Sequence, residues 1–345
     1  MQEDLFGLPP APDPIPPALQ RKPGVQPVVF DEDLYATAQS LSKLLRMGVS
    51  TWSYPGWEGL VWDRAYADSV LSKKGLTALS AHPLMRTVCV DRTFWRPLST
   101  EQYANYARQV PDDFRFMVKC PNTVTDPQIR AEDGVGKQIN PVFLDPQIAM
   151  DQFVTPCLEG LGNKLGVLVF QISPLPGVMF NRLDGLFERL DRLLAAVRAA
   201  LRHVSQVIVA VEVRDPALQT HPAFVPTLKR HGVTMCLGIH GKMPPVAEQL
   251  KVLRRFWPTP LVCRWNLNPI FGPFGYAQAQ EKHSPFNEIR SEDIATRTYL
   301  ANTIAGITGA GQAAFVTISN DAEGCAPRSI RLLAQQLIGL SPSIR

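Results

Sequence analysis

The chain has 345 residues, 45% of them hydrophobic, enough to bury the core of one large domain or two ordinary ones. A net charge of +4 without a dense Lys/Arg block permits an anionic partner but does not demand one. No apolar run reaches bilayer length, and the opening MQEDLFGLPP lacks the basic start and apolar centre of a secretory signal, so a cytoplasmic protein is expected.

Residues 1–30 form the first segment. LPPAPDPIPPALQRKPGVQP is too rich in proline to cover its ordering entropy with buried area, which predicts an extended arm. DEDLYATAQSLSKLLRM follows with helical spacing, and Asp31 or Asp33 is placed to cap it. From Met47 onward short apolar runs alternate with longer amphipathic stretches. The runs are 47–51, 86–91, 114–120, 166–172, 207–213, 233–240, 260–265 and 313–319. Between them, segments such as FNRLDGLFERLDRLLAAVRAALRHV and VAEQLKVLRRFW carry apolar residues three and four apart, the stripe of a helix lying on a sheet.

Strands alternating with helices imply a parallel sheet, and eight such units predict a TIM-like (β/α)8 barrel over residues 31–345. An open doubly wound sheet is the rival. It would carry a Gly-rich phosphate turn after its first strand, whereas WSYPGWEG follows here. The connection 266–293 has no strong periodicity and is long enough to be a binding loop over the carboxyl-terminal face. The six cysteines form no CxxC pair, and Cys89, Cys236 and Cys263 lie inside apolar runs, so reduced structural thiols are expected.

Functional groups of such a barrel gather at the carboxyl ends of its strands. Each of the eight runs here ends in polar residues. They include Ser50 to Tyr54, Asp91-Arg92-Thr93, Lys119, Gln171, Glu212 with Arg214, His240, Arg264 with Asn266, and Ser319-Asn320-Asp321. The fifth run, QVIVAVEVRDP, poses the sharpest question, because an interior strand carries two charges. Side chains alternate between faces, so Val207, Val209, Val211 and Val213 should pack under helices. Ile208 and Ala210 then face the barrel axis, with Glu212 and Arg214 at its upper rim.

A buried charge persists only if paired. Glu212 is therefore either part of a structural network closing the barrel top or a carboxylate poised to meet a ligand. On the second reading Glu212 and Lys119 are the candidate catalytic residues. Trp52, Tyr54, Thr93, Gln171, Arg214, Arg264, Asn320 and Asp321 are the candidate binding residues, the Arg forks suiting phosphate or carboxylate. Only His240 among the six histidines stands at a strand end, so no metal is expected, nor any other cofactor. No GxSxG elbow occurs, and Cys120 reads better as a core thiol than as a nucleophile. Trp52, Tyr54, Trp57, Trp62, Phe94, Trp95 and Trp265, with Phe271, Phe274, Tyr276 and Phe286 of the 266–293 connection, could wall a pocket or fill a satellite core beneath a loop.

Six blocks, in order, resemble the DUF72 family, also called YecE-like proteins. They are GVSTWSYPGWEGLVW, DRTFWRPLS, VPDDFRFMVKCPNTVT, LGVLVFQISPLP, AVEVRDPAL and ISNDAEGCAPRSIRLLAQQL. The resemblance spans about residues 46–340 and implies a TIM-like barrel, but no reaction, since the family is defined by sequence. The chain departs from the family pattern at Cys89, Arg92, Asp126 and Asp215, and the RLHG block is reduced to Arg264-Trp265-Asn266-Leu267. Trp52, Tyr54, Trp57, Thr93, Lys119, Gln171, Glu212, Arg214, Arg264 and Asn320 match it. Three functions are compatible with these features. One is an enzyme, a hydrolase or lyase, or a binding protein for an anionic substrate. The second is a nucleic-acid-binding or repair-associated barrel, and the third a degenerate barrel acting as a scaffold, its arm docking a partner.

Overall fold

The computed structural model describes residues 24–130 and 136–340. Along the chain its strands are β1 (Leu45–Val49), β2 (Met85–Val90), β3 (Arg115–Lys119), β4 (Gln128–Arg130), β5 (Gly136–Ile139), β6 (Leu165–Ile172), β7 (Ile208–Val213), β8 (Thr234–Ile239), β9 (Leu261–Trp265) and β10 (Ala314–Ile318). All except β4 and β5 join one closed barrel, in which β10 returns to pair with β1. Every barrel pairing is parallel. The barrel strands fall within two residues of the eight apolar runs. β4 and β5 make a small antiparallel hairpin after β3 that the apolar rhythm does not signal.

The period-2 reading of β7 holds. Val207, Val209, Val211 and Val213 belong to the outer core, packed between sheet and helices. Ala210 lies in a separate inner cluster with Cys89, Met117, Val167, Val169, Cys236, Val262 and Phe315, and Ile208 packs against it. Outside, the helix Leu183–Ala200 buries Leu186, Phe187, Leu190, Leu193, Leu194 and Val197. That three-and-four spacing lays one stripe on the barrel, each large side chain contributing about 1.5–3 kcal/mol when fully buried.

Asp31, not Asp33, caps the first helix, Glu32–Ser40, accepting the Leu34 amide at 2.7 Å. Residues 1–23 of the expected arm lie outside the described residues. The part that is described runs along the loop after β1: the Val28 amide donates to Val61 and the Asp63 amide to Gln26, while Phe30 meets the His82 ring at 4.8 Å.

The connection 266–293 is more ordered than its weak periodicity predicts. It holds a short turn, Pro269–Phe271, and a helix, Tyr276–His283. That helix buries only Ala279 and His283, so it has no apolar stripe to announce it. All six cysteines are buried free thiols. No helix among the described residues is long and apolar enough to cross a membrane.

Candidate functional site

The apolar inner cluster of the barrel reaches the level of Ala210 and Val169, and the layer above it is ionic. Its hub is Arg264 on β9. One terminal nitrogen, Nη1, donates to Glu212 Oε2 at 2.6 Å and to Gln171 Oε1 at 3.2 Å, while Nη2 donates to Asp91 Oδ1 at 2.7 Å. Gln171 and Glu212 are direct partners in the β6–β7 ladder, which sets them side by side. Arg264 must reach past β8 to meet Glu212, and the β8 residue opposite it is Gly238. A Cβ there would stand 3.4 Å from the Glu212 carboxyl carbon, so any longer side chain would obstruct the ion pair. Arg214, the residue after β7, shares the carboxamide: its Nη2 donates to Gln171 Oε1 at 3.1 Å, and its Nε lies 3.6 Å from Glu212 Oε1.

Glu212 and Arg264 are buried, and this decides their protonation. Burial alone would push the Glu212 carboxyl up, but Arg264, Arg214 and Lys119 outweigh it and hold Glu212 below its ordinary value. Asp91 is likewise raised by burial and then drawn below its ordinary value by Arg264 and Lys119. Arg264 loses solvation yet is held well above its ordinary value by Asp91 and Glu212. Its fork is thus occupied by carboxylates of the protein itself, and its part in meeting an external anion is to fix those carboxylates in place. Solvent reaches the layer at Asp91 and Arg214, whose side chains remain 30% and 17% exposed.

Lys119 differs from its neighbours. It ends β3 and is only 8% exposed, with its ammonium nitrogen 3.7 Å from the centroid of the Phe94 ring. Among the described residues it forms no ion pair, because Arg264 has taken both nearby carboxylates. Burial first, then repulsion by Arg264, pushes its pKa down to about 7, with Asp91 opposing in part. The Thr93 hydroxyl lies 2.6 Å from the Lys119 carbonyl and 2.7 Å from that of Val90, pinning the end of β3 to the end of β2.

The other predicted site residues divide. Asn320 is a structural clamp, its Oδ1 accepting from Trp57 Nε1 at 3.3 Å and from the Ala326 amide at 2.8 Å. Trp57 and Trp62 are fully buried and stacked at 6.1 Å, which makes them a satellite core, not a pocket wall. Trp52 is buried, edge-on to Tyr106 at 5.3 Å, and its indole N–H finds no acceptor among the described residues. Tyr54 is half-buried between Trp57 and Phe286, each at 5.1 Å, and burial together with Asp321 raises its pKa. Asp321 is pushed up to about 6 by burial, against one hydrogen bond from Ser319.

One contributor escapes the sequence reading of the site. Gly238 does so because an absent side chain leaves no polar signal. Tyr276 packs on His240 at 5.1 Å, and burial raises its phenol to about 12 while Arg214 and Arg264 pull the other way. Tyr276 is one of the loop aromatics that the sequence offers as a pocket wall or a satellite core. The departures from the family pattern serve local structure. Asp126 pairs with Arg130 at 2.6 Å, Asp215 accepts the Leu175 amide at 2.8 Å, and Cys89 lines the inner core. No group of three or more His, Cys, Asp or Glu side chains that could hold a metal occurs among the described residues.

A closed parallel (β/α)8-type barrel with an ionic layer at its carboxyl-terminal mouth places the molecule in the TIM-barrel class. Residues 46–342 match the family model described as "Protein of unknown function DUF72", and the chain belongs to that family. Among solved structures it is similar to a DUF72 family protein from Thermotoga maritima MSB8, with 17% identity, a TM-score of 0.54, and coverage of 85% of this chain and 98% of the other. It also resembles a DUF72 family protein from Enterococcus faecalis V583, at 15% identity and a TM-score of 0.52, covering 87% and 97% of the two chains. At these identities the likeness concerns the fold alone. No curated protein matches the chain.

Proposed function

We propose that the carboxyl-terminal mouth of the barrel binds a small carboxylate- or phosphate-bearing molecule, on which the protein acts as an enzyme. The observation carrying this reading is an imbalance of charge. Three basic groups, Arg264, Arg214 and a Lys119 that is partly protonated at neutral pH, surround two carboxylates held ionised, Asp91 and Glu212. Arg264 binds both carboxylates and Arg214 shares Glu212, so the positive charge in excess falls on the partly exposed Arg214 and the partly protonated Lys119. An anion entering there would meet two cations already desolvated by the fold, where charge attraction is strongest.

The reading has a protonic signature. Lys119 sits near pH 7 in its titration, and a bound anion raises its pKa, so binding at neutral pH draws in a fraction of a proton. Calorimetric titration with phosphate and with simple carboxylates, in two buffers of different ionisation enthalpy, should show this uptake. Arg214→Ala should weaken binding by about tenfold or more, the worth of a charge-assisted pair. Equal affinity in the variant, or no binding at millimolar anion, would overturn the proposal.

A second reading, nucleic-acid binding, draws on a different surface. A groove of about 980 Å³ beside the helices Asp68–Lys74 and Thr100–Ala107 is lined by Lys73, Lys74, Arg92 and Arg108 against one carboxylate, Asp68. Trp95, 71% exposed, follows three residues after Arg92 and could stack on a base. Binding of single-stranded DNA whose affinity falls steeply with salt would favour this reading.

A further inference from the structure

We propose that Lys119 is a nucleophile that condenses with the carbonyl group of an oxo acid, forming an imine at the barrel mouth. The proposal rests on the anion-binding reading above and names the substrate class for the same site. It starts from position. Lys119 is the terminal residue of a barrel strand, its carbonyl is held by Thr93, and its side chain is laid against the Phe94 ring. Every group facing it either repels its proton or is already engaged. Arg264 and Arg214 are cations, whereas Asp91 and Glu212 are bound by Arg264. A stabilising ion pair would have required only that one of these carboxylates turn to Lys119. A lysine so placed is divided at neutral pH between the ammonium, which attracts an anion, and the free amine, which is the reactive form.

Arg214 supplies the second half of the recognition. An oxo acid carries a carboxylate next to or near its carbonyl, and a partly exposed guanidinium in the same ionic layer as the amine suits that pair. In the reaction the Lys119 nitrogen attacks the carbonyl carbon, a C–N bond forms, and the π pair moves to oxygen. One proton passes from nitrogen to that oxygen. A second proton from an acid at the mouth allows the hydroxyl to leave as water, and the protonated imine remains. Asp321, which titrates near 6, and Tyr276, which keeps its proton to about 12, belong to the same electrostatic neighbourhood and are suited to such exchange.

The test is reductive trapping on the full chain, with glyoxylate and pyruvate as probes and borohydride as the reductant, followed by peptide mapping. The expected result is a secondary-amine adduct on Lys119 that forms at least about tenfold faster at neutral pH than on exposed Lys73, Lys74 or Lys251. Its rate should level off just above pH 7, and Lys119→Arg should abolish it. The wild-type map alone decides the matter if that variant fails to fold. Glycolate and lactate, which carry the carboxylate but no carbonyl, separate the two ideas. If they bind in an Arg214-dependent way while neither oxo acid is trapped at Lys119, the imine is overturned and anion binding stands. If neither class binds, both fall.

Discussion

Glu212 shows what a single buried charge costs and commits. Its carboxylate touches Arg264 at 2.6 Å and neighbours Arg214, with almost no water beside it. Removing one member of such a pair leaves the other charge uncompensated. Glu212→Ala should therefore lower unfolding free energy by about 3–5 kcal/mol, measured by urea denaturation. Glu212→Gln, which keeps the shape and one acceptor oxygen, should cost less. A loss below about 1 kcal/mol for the alanine variant would mean that Asp91 alone suffices for Arg264. The two charges on QVIVAVEVRDP thus have an answer at this scale: Glu212 is the counter-ion of a residue on another strand, and Arg214 faces the mouth.

At the scale of elements, the 266–293 connection is held to the barrel ends by close backbone approach. A Cβ on Gly56 would stand 1.8 Å from the Pro285 carbonyl oxygen, and one on Gly241 would stand 2.2 Å from that of Gly272. Neither oxygen can yield by rotating a side chain. Gly56→Ala should push the segment around residues 284–287 away from the loop after β1, releasing the Tyr54–Phe286 contact. Amide hydrogen exchange in that segment should rise by about tenfold, while the barrel strands stay protected. Unchanged exchange would show that the approach does not seat the loop. Elements were legible in proportion to what they bury. The eight barrel strands bury nearly every side chain and read as continuous apolar runs. The β4–β5 hairpin exposes Ile129 and Ile139 and offered no pattern to read.

Across the whole molecule, acid sensitivity follows from histidines kept neutral. Burial lowers His82, His240 and His283 to about 4, from an ordinary 6.5. The unfolded chain then takes protons first as pH falls. Stability from these residues is complete above 6.5 and is lost as pH drops towards 4. Asp321, Asp215 and Glu323 oppose them, since burial raises all three and so favours the folded state at lower pH, whereas Asp91 and Glu212, held below their ordinary values, add to the loss in acid. Melting temperature should fall between pH 6.5 and 4. His82→Asn should flatten the slope by up to about 1.4 kcal/mol per pH unit. An unaltered slope would mean that His82 titrates normally and that its contact with Phe30 survives protonation.

The sequence by itself determined the barrel, the face of β7 that turns inward, and the end of the strands where polar groups collect. Those properties follow from local periodicity, which a chain carries whether or not it is folded. Only the tertiary structure decided the pairings. Arg264 selects Glu212 and Asp91 across 52 and 173 residues of chain, past a glycine that leaves the way open, and this leaves Lys119 with no ion-pair partner among the described residues. Partner choice depends on how the sheet closes and in which register, and no stretch of letters contains that distance.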